Sequence, residues 1–170
     1  YIPSDLIEPD IPFYASGNDP RRLLQREAAI AAEELFKRAQ KEEIHLWGIS
    51  GYRSYKRQEE LFSSANGRSG VAPPGCSEHQ TGLALDISCP DENYELEESF
   101  AKTKEGCWLA RHCALFGFIL RYPKNKEEIT GFPFEPWHIR YTGIGLASSL
   151  TLTGMTLEEY YERGLHLPPK

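Results

Sequence analysis

In the stretch "SEHQTGLALD", His79 and Asp86 stand seven residues apart with Gly82 between them. The alternation after the glycine reads as a strand: Leu83, Leu85 and Ile87 point one way, and Ala84, Asp86 and Ser88 the other. If the three aliphatic side chains enter the core, the Asp86 carboxylate faces whatever lies across the sheet. A carboxylate there is costly unless it is paired or bound to a metal. Gly82 permits a sharp turn into the strand, so the loop carrying His79 folds over the same spot. One histidine and one aspartate make part of a metal site. "FEPWHIRY" supplies the candidate remainder, His138 as third ligand and Glu135 three residues before it across Pro136. Three protein ligands with one open position is the pattern of catalytic, not structural, zinc. Water at that position has its pKa drawn toward neutrality, and Glu135 is the candidate base beside it. Residues i and i+3 of a regular strand face opposite sides, so this pairing needs the bulge or turn that Pro136 favours. The division of labour is that of HExxH metalloproteases, although HExxH itself is absent.

These residues need a scaffold. "YIPSDLIEPDIPFYASGNDP" is rich in Pro and Asp and reads as an extended arm over residues 1–18, packed on a domain that spans 19–170. A helix is expected from Pro20, capped by Asp19, with Leu24, Ala28, Ala31 and Leu35 as its apolar stripe. "IHLWGISGYR" reads as a strand broken by glycines, and "SYKRQEELFSSA" as a helix capped by Ser54. "GRSGVAPPGCSEHQ" is a loop. A helix near 105–117 follows, with Trp108, His112 and Leu115 on one face and Leu109, Cys113 and Phe116 beside it. "FGFILRY" and "PWHIRYTG" are expected strands, and "TLEEYYERG" a closing helix. Helices and strands mix without a regular βαβ rhythm. The expected fold is α+β, a single compact domain with a central, mostly antiparallel sheet flanked by helices.

Composition narrows the partners. The chain has 170 residues, 40% of them hydrophobic and 26% charged, enough for one domain with a proper core. A formal net charge of −6 argues against nucleic acid. No apolar run approaches the roughly 18–20 residues that span a bilayer. The chain starts at Tyr1 without a signal-peptide pattern, so a leader or membrane anchor is expected upstream. Cys76, Cys89, Cys107 and Cys113 lack the C-x-x-C spacing of structural zinc, and both disulfides and free thiols remain open. There is no Gly-rich phosphate fingerprint and no serine nucleophile elbow.

Three ordered motifs, "SGYRSYKRQ", "SEHQTGLALD" and "EPWHIRY", resemble the zinc D-alanyl-D-alanine carboxypeptidases of the VanY type and the related L,D-carboxypeptidases of bacterial cell walls. The resemblance runs over nearly the whole chain and is especially close in "FGFILRYPKNKEEITGFPFEPWHIRYTG". It implies a fold shared with Hedgehog-type domains and the removal of terminal D-Ala from peptidoglycan stem peptides. It also implies one catalytic Zn2+ held by His79, Asp86 and His138, with Glu135 as base. Arg53 would contact substrate and stabilise the developing oxyanion. Gln58 and Ser77 match positions that contact the peptide end. A free carboxylate does call for a guanidinium with hydroxyl and amide donors, but the sequence does not assign which of the three residues holds it.

D-Ala-D-Ala cleavage is the first expectation and L,D-cleavage of tetrapeptide stems the second. A non-catalytic zinc domain that binds wall fragments is the alternative of a different class; Glu135 favours the enzyme, since a binding domain needs no base beside its metal. The substrate implies an extracellular or wall-associated protein, and a monomer is expected. His112 reads as a packing residue, His45 and His166 as solvated. Trp137 either walls the pocket or packs in the core, and the acidic run 91–98 is a solvated loop without EF-hand spacing.

Overall fold

The computed structural model describes residues 1–65 and 71–165. Part of the loop expected from Gly67 and all of His166 therefore lie outside the described residues. In chain order the elements are β1 (Leu6–Ile7), β2 (Leu24–Gln25), α1 (Arg26–Lys41), β3 (Trp47–Ser50), α2 (Tyr55–Ser64), β4 (Ala84–Ser88), α3 (Lys104–His112), β5 (Phe118–Tyr122), α4 (Glu127–Thr130), β6 (Glu135–Tyr141), α5 (Ile144–Thr153) and α6 (Leu157–Leu165). Four strands form a sheet in the order β3-β4-β6-β5 with every neighbour antiparallel, and β1 pairs with β2 separately. This is the expected α+β architecture.

Alternation along the strands sorts the side chains. β4 and β6 are in register at Ala84–Arg140, Leu85–Ile139 and Asp86–His138. Leu85, Ile87, Ile139 and Phe118 are fully buried and share one core with Leu35 of α1 and Leu109 of α3. Each such side chain contributes about 1.5–3 kcal/mol by leaving water. The opposite face carries Asp86, His138 and Arg140. A second, smaller cluster of Ile119, Ala147, Leu150 and Leu157 fastens α5 and α6 to β5. No helix among the described residues is long and apolar enough to cross a membrane.

Residues 1–18 run over the surface and return inward at Ile11 and Phe13, both buried in the main core. Tyr14 N donates to Gly48 O and Gly48 N to Pro12 O, each at 2.9 Å, so this segment covers the open edge of β3. A Cβ at Gly48 would lie 2.6 Å from the Phe13 ring, which explains the glycine.

Two expected helices change shape. The Asp19 carboxylate does accept from Arg21 N at 2.9 Å, but it caps only a 3-10 turn, Pro20–Arg22. Leu24 and Gln25 then extend to pair with Ile7 and Leu6, so the helix starts at Arg26. Its buried stripe is Ala28, Ala29, Ala32, Leu35, Phe36 and Ala39, with Ala31 only half-buried. The helix expected to reach 117 ends at His112 and tightens into a 3-10 turn over Cys113–Phe116, closed by Gly117 at φ 83°. That change of pitch buries Cys113 and turns Leu115 outward, 63% exposed. His112 stacks on Trp108 at 4.4 Å, as a packing residue should. All four cysteines are free thiols, Cys89 and Cys113 buried, Cys76 and Cys107 exposed.

Candidate active site

His79 enters the site on a 3-10 turn, Glu78–Thr81, that ends at Gly82 in the left-handed region (φ 71°). A Cβ there would lie 2.8 Å from Leu6 and 3.0 Å from Gln25 N, because β2 docks directly on this turn. Glycine thus lets the chain reverse into β4 and seats the turn against the N-terminal ladder. Asp86 is the third residue of β4, opposite His138 on β6.

The three candidate ligands converge. One donor atom from each of His79, Asp86 and His138 lies within 4.8 Å of the others, and all three residues are buried. His79 Nε2 is 3.2 Å from Asp86 Oδ2, and His138 Nδ1 is 2.9 Å from Asp86 Oδ1. The imidazole rings stand edge to face, 5.0 Å between centroids. His79 Nδ1 is 2.7 Å from Gly51 O. A carbonyl can only accept, so Nδ1 carries the proton and Nε2 keeps its lone pair for the site. Burial alone would raise the Asp86 carboxyl; the two imidazoles reverse this and hold it well below the usual carboxylate range. Two imidazole nitrogens and an ionised carboxylate, buried and convergent, are a donor set that suits Zn2+.

Glu135 reaches the same place through a break in the ladder. Leu120 pairs with Ile139 but Tyr122 pairs with Glu135, a step of two residues on β5 against four on β6. The irregularity falls around Pro136 and brings Glu135 Oε2 to 3.8 Å from His138 Nδ1. Burial, partly offset by His138, pushes the Glu135 carboxyl up to about 7. A carboxyl poised there can both take and return a proton near neutral pH.

These residues floor a cleft of about 540 Å³ whose wall includes Arg53, Gln58, Ser77, Tyr122 and Trp137. Arg53 stands where β3 hands over to α2, whose N-terminus Ser54 caps by accepting from Arg57 N at 3.2 Å. Arg53 N donates to His79 O at 3.1 Å, tying the two loops together. Its guanidinium donates to Gln58 Oε1 at 3.0 Å and Ser50 Oγ at 3.3 Å. Gln58 is almost wholly buried and also donates to Ala72 O at 2.7 Å. The structure thus sets Gln58 behind Arg53 as its support, while Ser77 is half-buried on the rim. Trp137 does both things expected of it, lining the cleft and packing on the main core. His45 is exposed, and the acidic run 91–98 is largely so.

The sequence reading did not single out Glu78, Arg121 or Tyr122. Glu78 Oε1 accepts from Arg121 Nε at 2.8 Å and lies 3.3 Å from Arg140 Nη1. The Tyr122 ring packs 5.0 Å from the His138 ring and 4.6 Å from Phe132. Strand parity marks only Arg140, two residues after His138 and on its face; no such signal marks Glu78, which lies on a turn.

Known proteins resemble this chain in sequence and in fold. The family model described as VanY, D-alanyl-D-alanine carboxypeptidase, matches residues 21–144. The chain is 44% identical to the putative carboxypeptidase YodJ of Bacillus subtilis (strain 168) over 170 residues, covering 96% of this chain and 62% of that protein. It spans less than two thirds of the length of each curated relative it matches. The solved LdcB LD-carboxypeptidase superposes with a TM-score of 0.92 at 44% identity, over 95% of this chain and 79% of that one. A vancomycin-resistance D,D-pentapeptidase VanY mutant, solved in complex with Zn(II), gives a TM-score of 0.71 at 32% identity, over 94% and 93%.

Proposed function

The chain belongs to the VanY D-alanyl-D-alanine carboxypeptidase family, and we propose that it is a zinc-dependent carboxypeptidase that removes the terminal D-Ala from peptidoglycan stem peptides. One observation carries the reading: His79, Asp86 and His138 converge at the floor of a cleft that also holds a half-buried Glu135 and a supported Arg53. His79 Nε2, an Asp86 oxygen and His138 Nδ1 would hold the zinc ion. When bound, zinc supplies Lewis acidity, which lowers the pKa of water and polarises a carbonyl.

The remaining work falls to the chain. Glu135 takes a proton from the attacking water as its oxygen bonds to the scissile carbonyl carbon. It returns that proton to the amine nitrogen as the C–N bond breaks, so free D-Ala leaves with its proton count balanced. The Arg53 guanidinium, braced by Gln58 and Ser50, offers N–H donors to the carbonyl oxygen that gains charge. Ser77, which lines the cleft, would meet the peptide end. Trp137, Tyr122 and Phe132 give the cleft apolar walls that limit water around the reacting groups.

Two terminal bonds are in contention. The family model supports D-Ala-D-Ala cleavage, whereas the likeness to LdcB at a TM-score of 0.92 supports L,D-cleavage of a tetrapeptide stem. A stem peptide already in the wall as substrate favours an extracellular or wall-associated enzyme, whereas a stem-peptide precursor would not require one. D-Ala release from matched pentapeptide and tetrapeptide stems by the zinc-loaded protein separates them. Release from the pentapeptide alone establishes the D,D-enzyme, and from the tetrapeptide alone the L,D-enzyme. Zinc binding with release from neither would favour a wall-binding domain instead.

A further inference from the structure

Two buried polar atoms face each other without any other partner. Glu78 Oε2 and His138 Nε2 each lack a hydrogen-bond partner, and they lie 3.6 Å apart. Leaving either unsatisfied costs about 1–3 kcal/mol, and more where the group is charged. Closing the gap to an ordinary hydrogen bond of about 2.7–3.2 Å takes a shift of roughly half an ångström.

The surroundings aim the carboxylate. Arg121 and Arg140 both approach Oε1, at 2.8 and 3.3 Å, which leaves Oε2 turned toward the histidine. Arg121 is itself clamped from α6: its Nη1 donates to Glu158 Oε2 at 3.0 Å, and its Nη2 to Glu158 Oε1. The Tyr122 ring lies beneath the same guanidinium, 4.9 Å from its centre. A carboxylate present only to neutralise two arginines would have no need to turn one oxygen away from both.

We propose that Glu78 is a positioning residue for His138, its Oε2 accepting the Nε2–H so that Nδ1 keeps its lone pair for the metal, which it would share with Asp86 as a fellow ligand. This inference rests on the zinc-dependent reading above and deepens it. The two histidines then receive the same service from different sources. Gly51 O fixes His79 with its proton on Nδ1, whereas Glu78 fixes His138 with its proton on Nε2. The ligating atoms are therefore opposite ring nitrogens. Because the second partner is ionic and anchored through Arg121 to Glu158, α6 becomes part of the apparatus that orients a ligand.

The test uses zinc-loaded, 15N-labelled protein and reads the histidine ring nitrogens by NMR, alongside zinc affinity by competition with a chromophoric chelator. In the wild type, His79 should be protonated at Nδ1 and His138 at Nε2, with the His138 proton slow to exchange. Glu78→Ala should lower zinc affinity about 10–100-fold and speed exchange of that proton at least as much. Glu78→Gln keeps an acceptor and should lose less on both counts. Unchanged affinity and unchanged exchange in both variants would overturn the role of Glu78 while leaving the zinc reading intact. If Glu78→Ala fails to fold, the wild-type spectrum still decides: a His138 protonated at Nδ1 overturns the proposal. A wild type that binds no zinc at all would remove the functional reading and this proposal together.

Discussion

The two faces of the β4–β6 ladder are one residue apart and have nothing chemical in common. On one rung Leu85 meets Ile139, both fully buried in the hydrocarbon core; on the next, Asp86 meets His138, equally hidden but ionic. The apolar face is held by area, which is forgiving of the identity of each aliphatic residue. The polar face is held by geometry, since each buried donor or acceptor is costly unless its partner is in place. The same backbone register positions both. A rigid, well-packed face behind the strands is what keeps three ligand atoms from different segments within 4.8 Å of one another on the front. A slip of one residue would exchange the two faces and destroy both at once.

That contrast can be broken one rung at a time. The largest effect is expected from Asp86→Asn, which keeps the shape of the side chain and removes its charge. Zinc should no longer survive dialysis and D-Ala release should vanish, while circular dichroism stays that of the wild type. Glu135→Ala should lower turnover about 10²–10⁴-fold with zinc content unchanged, read by steady-state kinetics and metal analysis on one preparation. On the opposite face, Leu85→Ala should cost about 2–5 kcal/mol of stability, measured from the denaturant midpoint. The molecules that remain folded should still release D-Ala. If Leu85→Ala instead abolished zinc binding in folded protein, the two faces would not be separable as described.

The smallest effect belongs to Glu158, the outer end of the arginine clamp. Burial would raise its carboxyl, but the hydrogen bond from Arg121 outweighs this and holds it below the ordinary value. The sign follows from linkage: a depressed folded pKa gives stability that is present above the unfolded pKa of about 4.3 and lost as pH falls through the folded value. Because this carboxylate is partly open to solvent, Glu158→Gln should cost within about 1 kcal/mol at pH 7. Thermal melts should show that difference closing below pH 4.

The convergence of His79, Asp86 and His138 was legible in the sequence because period-2 alternation after Gly82 assigns Asp86 to a face, and because the motifs holding His79 and His138 resemble those of a zinc-enzyme family. The union of Glu135 with His138 was legible through Pro136, whose missing N–H makes a regular ladder untenable. Glu78 was not, although it precedes His79 directly. A carboxylate on a turn is ordinarily solvated, and only the packing of β5 and β6 delivers the arginines and the histidine around it. The start of α1 was misplaced for a related reason: Asp19 and Pro20 are a sound helix signal locally, and the pairing of Leu24 and Gln25 with β1 overrules it. Leu115 was grouped on one face with Trp108 and His112 by a helical period that stops at His112. α5 was missed because "IGLASSLTLT" offers no apolar stripe of helical period.

The most direct test of the account is to titrate metal-free protein with zinc while measuring D-Ala release from the preferred stem peptide. Release should rise linearly to one equivalent of zinc and then level, and Glu135→Ala should bind the same single equivalent with almost no release. Release that proceeds equally without zinc, or that survives intact in Glu135→Ala, would contradict it.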